Sequence, residues 1–312
     1  MDTATSAGYE RLPDGRLRPP RIFTDAAHEG PFWDRGYVKL PLLSQLDLDA
    51  LAAELTALAP FDGFDPRTLE NPRCTYHCTF LDPDHSYRRA ADQLVRDTFA
   101  RRIAEHVPGY QILTSNIYVK PPGTGRFEIH QNWPTLDDLD VPTITVWMPL
   151  QDTGFGNGTI RLVPGSHRVF PDAAAASSDR FFDDFESDLI ESYLRPIEVR
   201  AGEALIFDDS LLHWSGDNRS DSPRISFQIE MVPTGARTVL WIRNPDDPDE
   251  FELWESSSEF YIDSDIEAVL GRPEGLPFVA SVPNPNRRLT LAEFDETMRR
   301  AGQIRRAKFA LD

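Results

Sequence analysis

The sequence predicts a mainly β protein, a barrel or a sandwich, with helices flanking its sheets. From Gln111 onwards, short strand-like runs follow one another closely and are separated by Gly and Pro, which is typical of these folds. Two runs with helical spacing of apolar residues precede this region, and a further helix is predicted near the end of the chain. A length of 312 residues is enough for one large barrel with additional segments, or for two small domains.

The formal net charge of −19 excludes some classes of partner. A nucleic-acid-binding surface needs basic residues to contact phosphates, and an anionic membrane repels an acidic protein, so we expect neither partner. The first ten residues are polar, unlike a signal peptide, and no run approaches the ~20 apolar residues of a membrane span. We therefore expect a soluble, cytoplasmic protein. The oligomeric state has no recognisable signature in the sequence.

The N-terminal part is predicted to be mixed in structure. Residues 1–30 contain several prolines and many charges, and we expect an irregular arm over the barrel. Gly36–Leu40 has the pattern of a strand, and Asp47 is a candidate N-cap for a helix that runs to about Ala59. Residues 60–85 are rich in Pro, Asp and Arg, which favours a loop over the entrance of a site.

Two more helices and one insertion are predicted. Ser86 is a candidate N-cap for a helix to about Val107 that packs outside a sheet. Residues 169–196 form an acidic, aromatic insertion, either a lid helix beside a substrate or a solvated amphipathic helix on a loop. Near the end, Thr290 and Glu293 have the spacing of a capping box for a final helix to about Lys308.

The chain is predicted to form one domain, residues 1–312, because it contains no internal repeat and no low-complexity linker. Within it we expect a barrel core at about 111–245, a helical N-terminal part at 31–108 and a helical C-terminal tail at 286–310.

A candidate metal site centres on the segment FEIHQNW, residues 127–133. Alternate side chains of a strand share a face, so His130 and the side chain at position 132 can bind one metal ion. His213, in ALIFDDSLLHW, is the candidate second histidine, from another strand. Non-haem Fe(II) oxygenases bind iron with two His and one carboxylate, and their open positions take cosubstrate and oxygen. Asn132 stands where a carboxylate is expected.

Arg224 follows His213 by eleven residues and is a candidate for binding a 2-oxo acid such as 2-oxoglutarate. A guanidinium group can bind a carboxylate through two hydrogen bonds, and Ser226 lies on the same strand face to add another. Lys120 either contacts a carboxylate as well or is an exposed lysine at a strand end. Trp147 either lines the cosubstrate pocket or belongs to the core.

Other candidate ligands have weaker support. Cys74, His77 and Cys78 lie in CTYHC, but a structural zinc site needs a second pair of ligands. Two reduced cysteines are the alternative interpretation. His167, in PGSHR, is predicted to be structural.

The motifs together resemble the phytanoyl-CoA dioxygenase family of Fe(II)/2-oxoglutarate-dependent oxygenases, over about residues 115–232. The matching segments are YVKPPG, IHQNW, VWMPLQDT, GNGTIRLVPGSHR and AGEALIFDDSLLHWSGDNRSDSPRISF. The resemblance implies a double-stranded β-helix, which is a jelly-roll barrel similar to that of cupins. It also implies metal ligands at His130, position 132 and His213. Arg224 would bind the 2-oxoglutarate carboxylate, with Lys120 and Trp147 in the cosubstrate pocket.

Asn132 departs from the Asp of this family, and three interpretations are open. The amide oxygen of Asn132 binds iron as a neutral ligand, or Asp137 or Asp138 supplies the carboxylate, or two histidines alone hold the metal, as in halogenating relatives. A catalytically inactive protein, or a sequence carrying an engineered Asp→Asn change, is a further alternative.

The predicted function is an Fe(II)- and 2-oxoglutarate-dependent oxygenase that uses molecular oxygen to hydroxylate a small molecule, in bacterial secondary or amino-acid metabolism. One alternative is a degenerate barrel that binds a ligand without turnover. Another is a member of the family that catalyses halogenation, desaturation or cyclisation. The sequence does not specify the substrate.

Overall fold

The computed structural model describes residues 10–70, 72–170, 175 and 180–311. In chain order, its strands are Glu10–Arg11 (β1), Leu17–Arg18 (β2), Tyr37–Pro41 (β3), His77–Cys78 (β4), Tyr110–Lys120 (β5), Phe127–His130 (β6), Ile144–Pro149 (β7), Ile160–Leu162 (β8), Arg195–Pro196 (β9), Glu203–Asp208 (β10), His213–Ser215 (β11), Arg224–Pro233 (β12), Val239–Arg243 (β13), Glu250–Glu255 (β14) and Phe278–Pro283 (β15).

The α-helices are Glu29–Arg35 (α1), Gln45–Leu55 (α2), His85–His106 (α3), Glu186–Asp188 (α4), Ser258–Asp263 (α5), Ile266–Leu270 (α6) and Leu291–Lys308 (α7). Short 3-10 helices occupy Ala26–His28, Pro66–Thr68, Thr79–Leu81 and Asp183–Phe185, and Leu189–Tyr193 is a turn of π-helix. Within the described ranges, no helix is both long enough and apolar enough to span a bilayer.

Two antiparallel sheets form a jelly-roll barrel, which confirms the predicted fold class. The larger sheet has the strand order β3-β10-β7-β12-β5-β4, and the smaller has the order β6-β11-β8-β9. A third sheet, β13-β14-β15, follows the barrel in the chain. The edge strands β3 and β4 of the larger sheet come from the N-terminal part.

Alternation along β12 explains how the larger sheet positions polar side chains. Phe227 and Ile229 belong to the main hydrophobic core, and the Phe227 ring lies 5.2 Å from that of Phe99 on α3. The alternate residues, Arg224, Ser226, Gln228 and Glu230, line cavities of the barrel instead. One face of the sheet is therefore covered by helix, and the other supplies a row of polar groups.

Two helix starts differ from the prediction, because a neighbouring side chain caps more effectively. Ser44, rather than Asp47, is the N-cap of α2, and the two residues form a reciprocal capping box. The helix ends at Leu55, before the predicted Ala59. The carboxylate of Asp84 accepts two backbone N–H groups at the start of α3 and a hydrogen bond from the hydroxyl of Ser86. The capping box of Thr290 and Glu293 on α7 is confirmed.

The described part of the insertion, residues 169–170, 175 and 180–196, is not a solvated helix. Phe181, Phe182, Phe185 and Leu189 are buried, in a cluster that includes Phe294 of α7. The insertion is thus attached to the C-terminal helix by packing.

Candidate active site

Strand pairing brings the two predicted histidines together. His130 ends β6 and His213 begins β11, and the antiparallel register places them directly opposite each other. Their ring centres are 4.0 Å apart. Because directly opposed side chains project from the same face of a sheet, both rings face the barrel interior.

Hydrogen bonds to nearby backbone carbonyl groups select the ring nitrogen that remains available. Nδ1 of His130 donates to the carbonyl oxygen of Glu128 at 2.8 Å, and Nδ1 of His213 donates to that of Leu211 at 2.9 Å. This leaves Nε2 of each ring as the free acceptor. Burial lowers the pKa of His130 to about 4 and that of His213 well below its usual value. Both rings are therefore neutral at physiological pH, which is the form that binds metal ions.

The amide of Asn132 is held in one orientation by two acceptors. Its Nδ2 donates to Oγ1 of Thr145 and to Oδ1 of Asp209, both at 2.8 Å. The hydroxyl of Thr145 donates to the same carboxylate oxygen at 2.7 Å. An ionised carboxylate only accepts hydrogen bonds, so the NH2 group of Asn132 must face Asp209. The amide oxygen of Asn132 therefore points away from this network.

Within the described ranges, no carboxylate or thiol completes a set of three with these histidines in which all ligand atoms lie within 4.8 Å. Asp137 instead forms an ion pair with Arg237. Oδ1 of Asp138 accepts the backbone N–H of Asp140 at 3.0 Å. In this conformation, the two aspartates that could have supplied the carboxylate ligand are therefore bonded to other groups.

Two buried cations lie side by side near the histidines. Arg224 on β12 is paired in register with Lys120 on β5, and both side chains are 2% exposed. Nη1 of Arg224 donates to Oγ of Ser226, whereas its buried Nε has no partner. Nζ of Lys120 donates to Oγ of Ser215 and to the carbonyl oxygen of Gly216, each at 2.7 Å.

Neither cation has a carboxylate partner within 4.0 Å among the described residues. Burial lowers the pKa of Lys120 well below its usual value, and the charge of Arg224 lowers it further. Burial likewise lowers the pKa of Arg224, to about 9. A bound anion would relieve both penalties, so the pair has the chemistry of a carboxylate site.

The cations and the histidines share one narrow cavity, whose lining also includes Ser226 and Trp147. The guanidinium carbon of Arg224 lies 5.4 Å from the Trp147 ring centre, a cation–π distance. Gly125 makes room for Lys120: a Cβ at Gly125, where φ is +98°, would lie 2.8 Å from Cγ of Lys120. The fold therefore brings all seven predicted site residues to adjoining cavities of the barrel.

A sequence model of one family, described as phytanoyl-CoA dioxygenase (PhyH), matches residues 41–226. This range is more than half of the chain and contains every predicted site residue. The chain belongs to the phytanoyl-CoA dioxygenase family. The predicted resemblance and the dioxygenase class are confirmed.

Individual relatives are distant. The chain is 28% identical over 251 residues to an ectoine dioxygenase of Nocardia farcinica, covering 66% of this chain and 84% of that protein. It is 26% identical over 115 residues to a phytanoyl-CoA dioxygenase domain-containing protein 1 homolog of Dictyostelium discoideum, covering 35% of this chain. It spans only 41% of the length of the Dictyostelium protein.

Solved structures share the fold of this family member. One is an α-ketoglutarate-dependent carbocyclase, SnoK from nogalamycin biosynthesis, with a TM-score of 0.51 at 20% identity, covering 69% of this chain and 86% of that one. Another is EctD from S. alaskensis, with a TM-score of 0.50 at 19% identity, covering 76% and 88% of the two chains. At these identities the likeness concerns the fold.

A second cluster in this phytanoyl-CoA dioxygenase family member was not predicted. Asp62, His77 and Asp82 have ligand atoms within 4.8 Å of one another. However, Nδ1 of His77 pairs with Asp62 at 2.8 Å, and its Nε2 contacts the hydroxyl of Tyr87 at 2.8 Å. Oδ2 of Asp82 accepts the N–H of Phe61. These bonds hold the 60–85 loop together, and no sequence spacing indicates them.

The CTYHC segment has no zinc-like arrangement. Cys74 and Cys78 are free thiols, and the partners of His77 are Asp62 and Tyr87 rather than sulfur. Burial raises the pKa of the Cys78 thiol to about 12, so this side chain is unreactive. His167 is buried and bonded to the carbonyl oxygen of Trp33 at 3.1 Å, a structural role as predicted.

A larger cavity of about 330 Å³ adjoins the candidate metal site, with His130 and Asn132 in its lining. The 60–85 loop contributes Tyr76, Cys78 and Phe80 to it, consistent with a loop over a site entrance. Two acids near this wall, Asp209 and Glu230, were missed by the sequence analysis. Asp209 contacts Asn132 directly, and Glu230 lines the cavity.

Proposed function

We propose that this chain is an Fe(II)- and 2-oxoglutarate-dependent oxygenase that hydroxylates a small molecule. Iron is bound by Nε2 of His130 and His213 and by the amide oxygen of Asn132. One observation carries the proposal: two buried neutral histidines share a cavity with Arg224, a buried guanidinium that has no acidic partner among the described residues.

The first role of the chain is to present three ligands to one metal ion. The bonds from Nδ1 to backbone carbonyl oxygens fix each imidazole in the tautomer whose Nε2 binds metal. Asp209 orients the Asn132 amide and, by accepting its N–H, increases the negative charge on its oxygen. The carboxylate ligand expected at position 132 is thereby replaced by an amide that is hydrogen-bonded to the carboxylate of Asp209.

The second role is to hold the cosubstrate. Arg224 and Ser226 bind the carboxylate of 2-oxoglutarate that lies away from the metal, and Lys120 adds a second positive charge. Trp147 stabilises the guanidinium by a cation–π contact. Two buried cations match the two negative charges of the cosubstrate.

Bound iron, with 2-oxoglutarate and oxygen, supplies the oxidising power for hydroxylation. The chain determines which molecule is oxidised, since the large cavity lies beside His130 and Asn132 and holds the substrate there. Relatives named ectoine dioxygenase support a small molecule as substrate, and we assign the protein to bacterial secondary or amino-acid metabolism.

The test is anaerobic calorimetric titration of 2-oxoglutarate into the Fe(II)-loaded chain. Arg224→Ala removes the guanidinium, so we expect at least a tenfold weaker affinity. Arg219→Ala, at an exposed arginine in the turn before β12, is the matched control and should leave the affinity unchanged. An unchanged affinity in Arg224→Ala would remove Arg224 from the cosubstrate site.

Asn132 favours a second candidate function, a barrel that binds ligand without turnover, because the neutral amide weakens the metal site. Succinate formation from 2-oxoglutarate in air separates the two. Iron-dependent succinate supports the oxygenase, and tight binding of 2-oxoglutarate without any succinate supports the binding protein.

A further inference from the structure

The inner face of β12 continues past Ser226 into the large cavity. Gln228 and Glu230 both line that cavity. Oε1 of Gln228 accepts hydrogen bonds from the hydroxyl of Tyr118 at 3.0 Å and from Nδ2 of Asn116 at 3.5 Å. These three polar groups satisfy one another and leave Glu230 apart.

Glu230 is the unsatisfied acidic group on this wall, as far as the structure describes it. Its Oε1 is sealed from solvent and accepts no hydrogen bond, and no described Lys, Arg or His lies within ion-pair distance of its carboxylate. Burial raises the pKa of Glu230 well above its usual value, and the nearby charge of Asp209 raises it further. Oδ2 of Asp209 is also buried without a partner. A half-buried carboxylate whose sealed oxygen has no partner, beside the buried Asp209, requires a cation or a proton to be stable.

The rest of the cavity wall is rich in aromatic rings. Its aromatic residues are Tyr76, Phe80, Tyr118, Phe127, Trp133 and Tyr261. Several of the rings pack against each other, with centres 5.2 Å apart for Tyr76 and Phe127 and 6.2 Å apart for Phe80 and Trp133. Ring faces attract cations, and the attraction increases where water is excluded.

The arginine that lines this cavity, Arg180, is already paired with acidic side chains. Arg180 pairs with Asp183 at 2.8 Å, with Glu186 at 3.1 Å and with Glu128 at 3.6 Å. It also donates to the carbonyl oxygen of Ile129. Arg180 therefore does not compensate Glu230, and it offers little charge to an anionic substrate.

We propose that the large cavity binds a substrate with a cationic nitrogen, an ammonium or amidinium group, held by the Glu230 carboxylate and surrounded by the aromatic rings. The inference rests on the proposed function, because it names the substrate class of the same site. It places the positive end of the substrate at the far part of the β12 face, with the remainder of the molecule extending towards His130.

The test compares three probes of one shape and different charge: benzylamine, benzyl alcohol and benzoate. Each is titrated calorimetrically at pH 7.5 into the full-length chain, first without metal and then with Fe(II) and 2-oxoglutarate under anaerobic conditions. Binding to the metal-free chain does not depend on the iron chemistry. A failure of the cation site is therefore distinguishable from a failure of the proposed function.

We expect saturable binding of benzylamine, at least tenfold tighter than that of benzyl alcohol, and no measurable binding of benzoate when 2-oxoglutarate occupies the Arg224–Lys120 site. Glu230→Gln keeps the size of the side chain and removes the charge, so benzylamine should then bind no more tightly than benzyl alcohol. Glu128→Gln is the matched control, since Glu128 lies at the same cavity with its side chain 81% exposed. This variant should keep the preference for the amine.

Equal binding of the amine and the alcohol to the wild-type chain would overturn the proposal, as would tighter binding of benzoate than of the amine when 2-oxoglutarate occupies the Arg224–Lys120 site, or no amine binding up to 10 mM. An equal loss of amine binding in Glu230→Gln and Glu128→Gln would also overturn it, because the preference would then follow overall charge. The order of the probes in the wild-type chain decides the question even if a variant folds poorly.

Discussion

At the scale of single residues, the notable feature is a displaced negative charge. The chain has an amide at position 132, and the buried carboxylate of Asp209 lies 2.8 Å behind it. Burial raises the pKa of Asp209, while the hydrogen bonds from Thr145 and Asn132 lower it. An aspartate at position 132 would bring two carboxylates into contact, and their charges would repel each other. The amide of Asn132 instead donates a hydrogen bond to Asp209.

We expect Asp209→Asn to weaken Fe(II) binding about 10- to 100-fold, the usual effect of losing a group that orients a metal ligand. Anaerobic competition with a chelator measures the affinity. Asp221→Asn, which removes one exposed charge in the turn before β12, is the control and should have no effect.

The exchange variant Asn132→Asp/Asp209→Asn extends this prediction. It swaps carboxylate and amide and keeps the total charge, so it should bind Fe(II) at least as tightly as the wild-type chain. Unchanged binding in Asp209→Asn would show that Asp209 has no part in metal binding, and weak binding by the exchange variant would show that the carboxylate and the amide are not interchangeable.

The sequence predicted His130 and His213 because their spacing and surrounding motifs are local features. It did not separate Asp208 from Asp209, although the two have different roles. Asp208 pairs with the buried Arg168 at 2.9 Å, and Asp209 bonds Asn132. Adjacent residues at the end of a strand face opposite sides, and which side meets Asn132 depends on the pairing of distant strands.

At the scale of elements, strand register assembles the site and side-chain packing secures the ends of the chain. The register of β6 with β11 aligns the histidines, and that of β5 with β12 aligns the cations. Phe294 of α7 packs against the insertion. Its ring centre lies 4.8 Å from that of Phe170 and 4.9 Å from that of Tyr193. The sequence predicted the capping box of α7 from four residues, but it did not predict that α7 packs on the insertion.

We expect Phe294→Ala to lower the free energy of unfolding by about 3–5 kcal/mol, because Phe294 is fully buried and its removal leaves a cavity. Urea denaturation followed by circular dichroism measures the change. Phe278→Ala is the control, since Phe278 is 53% exposed on β15, and it should cost less than about 1 kcal/mol. Equal losses in the two variants would contradict the packing of α7 on the insertion.

At the scale of the whole molecule, the barrel collects residues that are about a hundred positions apart, from Lys120 to Arg224, into adjoining cavities. The family resemblance predicted this core but not the sheet that follows it. Within the acidic run 246–255, Phe251 and Leu253 are buried. Acidic and apolar residues alternate there, so one face of β14 packs while the other remains polar.

The most direct test of the central claim is to add Fe(II) and then 2-oxoglutarate anaerobically to metal-free protein and record the visible spectrum. We predict a charge-transfer band of iron-chelated 2-oxoglutarate in the wild-type chain and its loss in His213→Ala, which removes one of the two histidine ligands. A wild-type chain without a band, beside an Asn132→Asp variant that develops one, would contradict the account, because Asn132 would then disable the site rather than complete it.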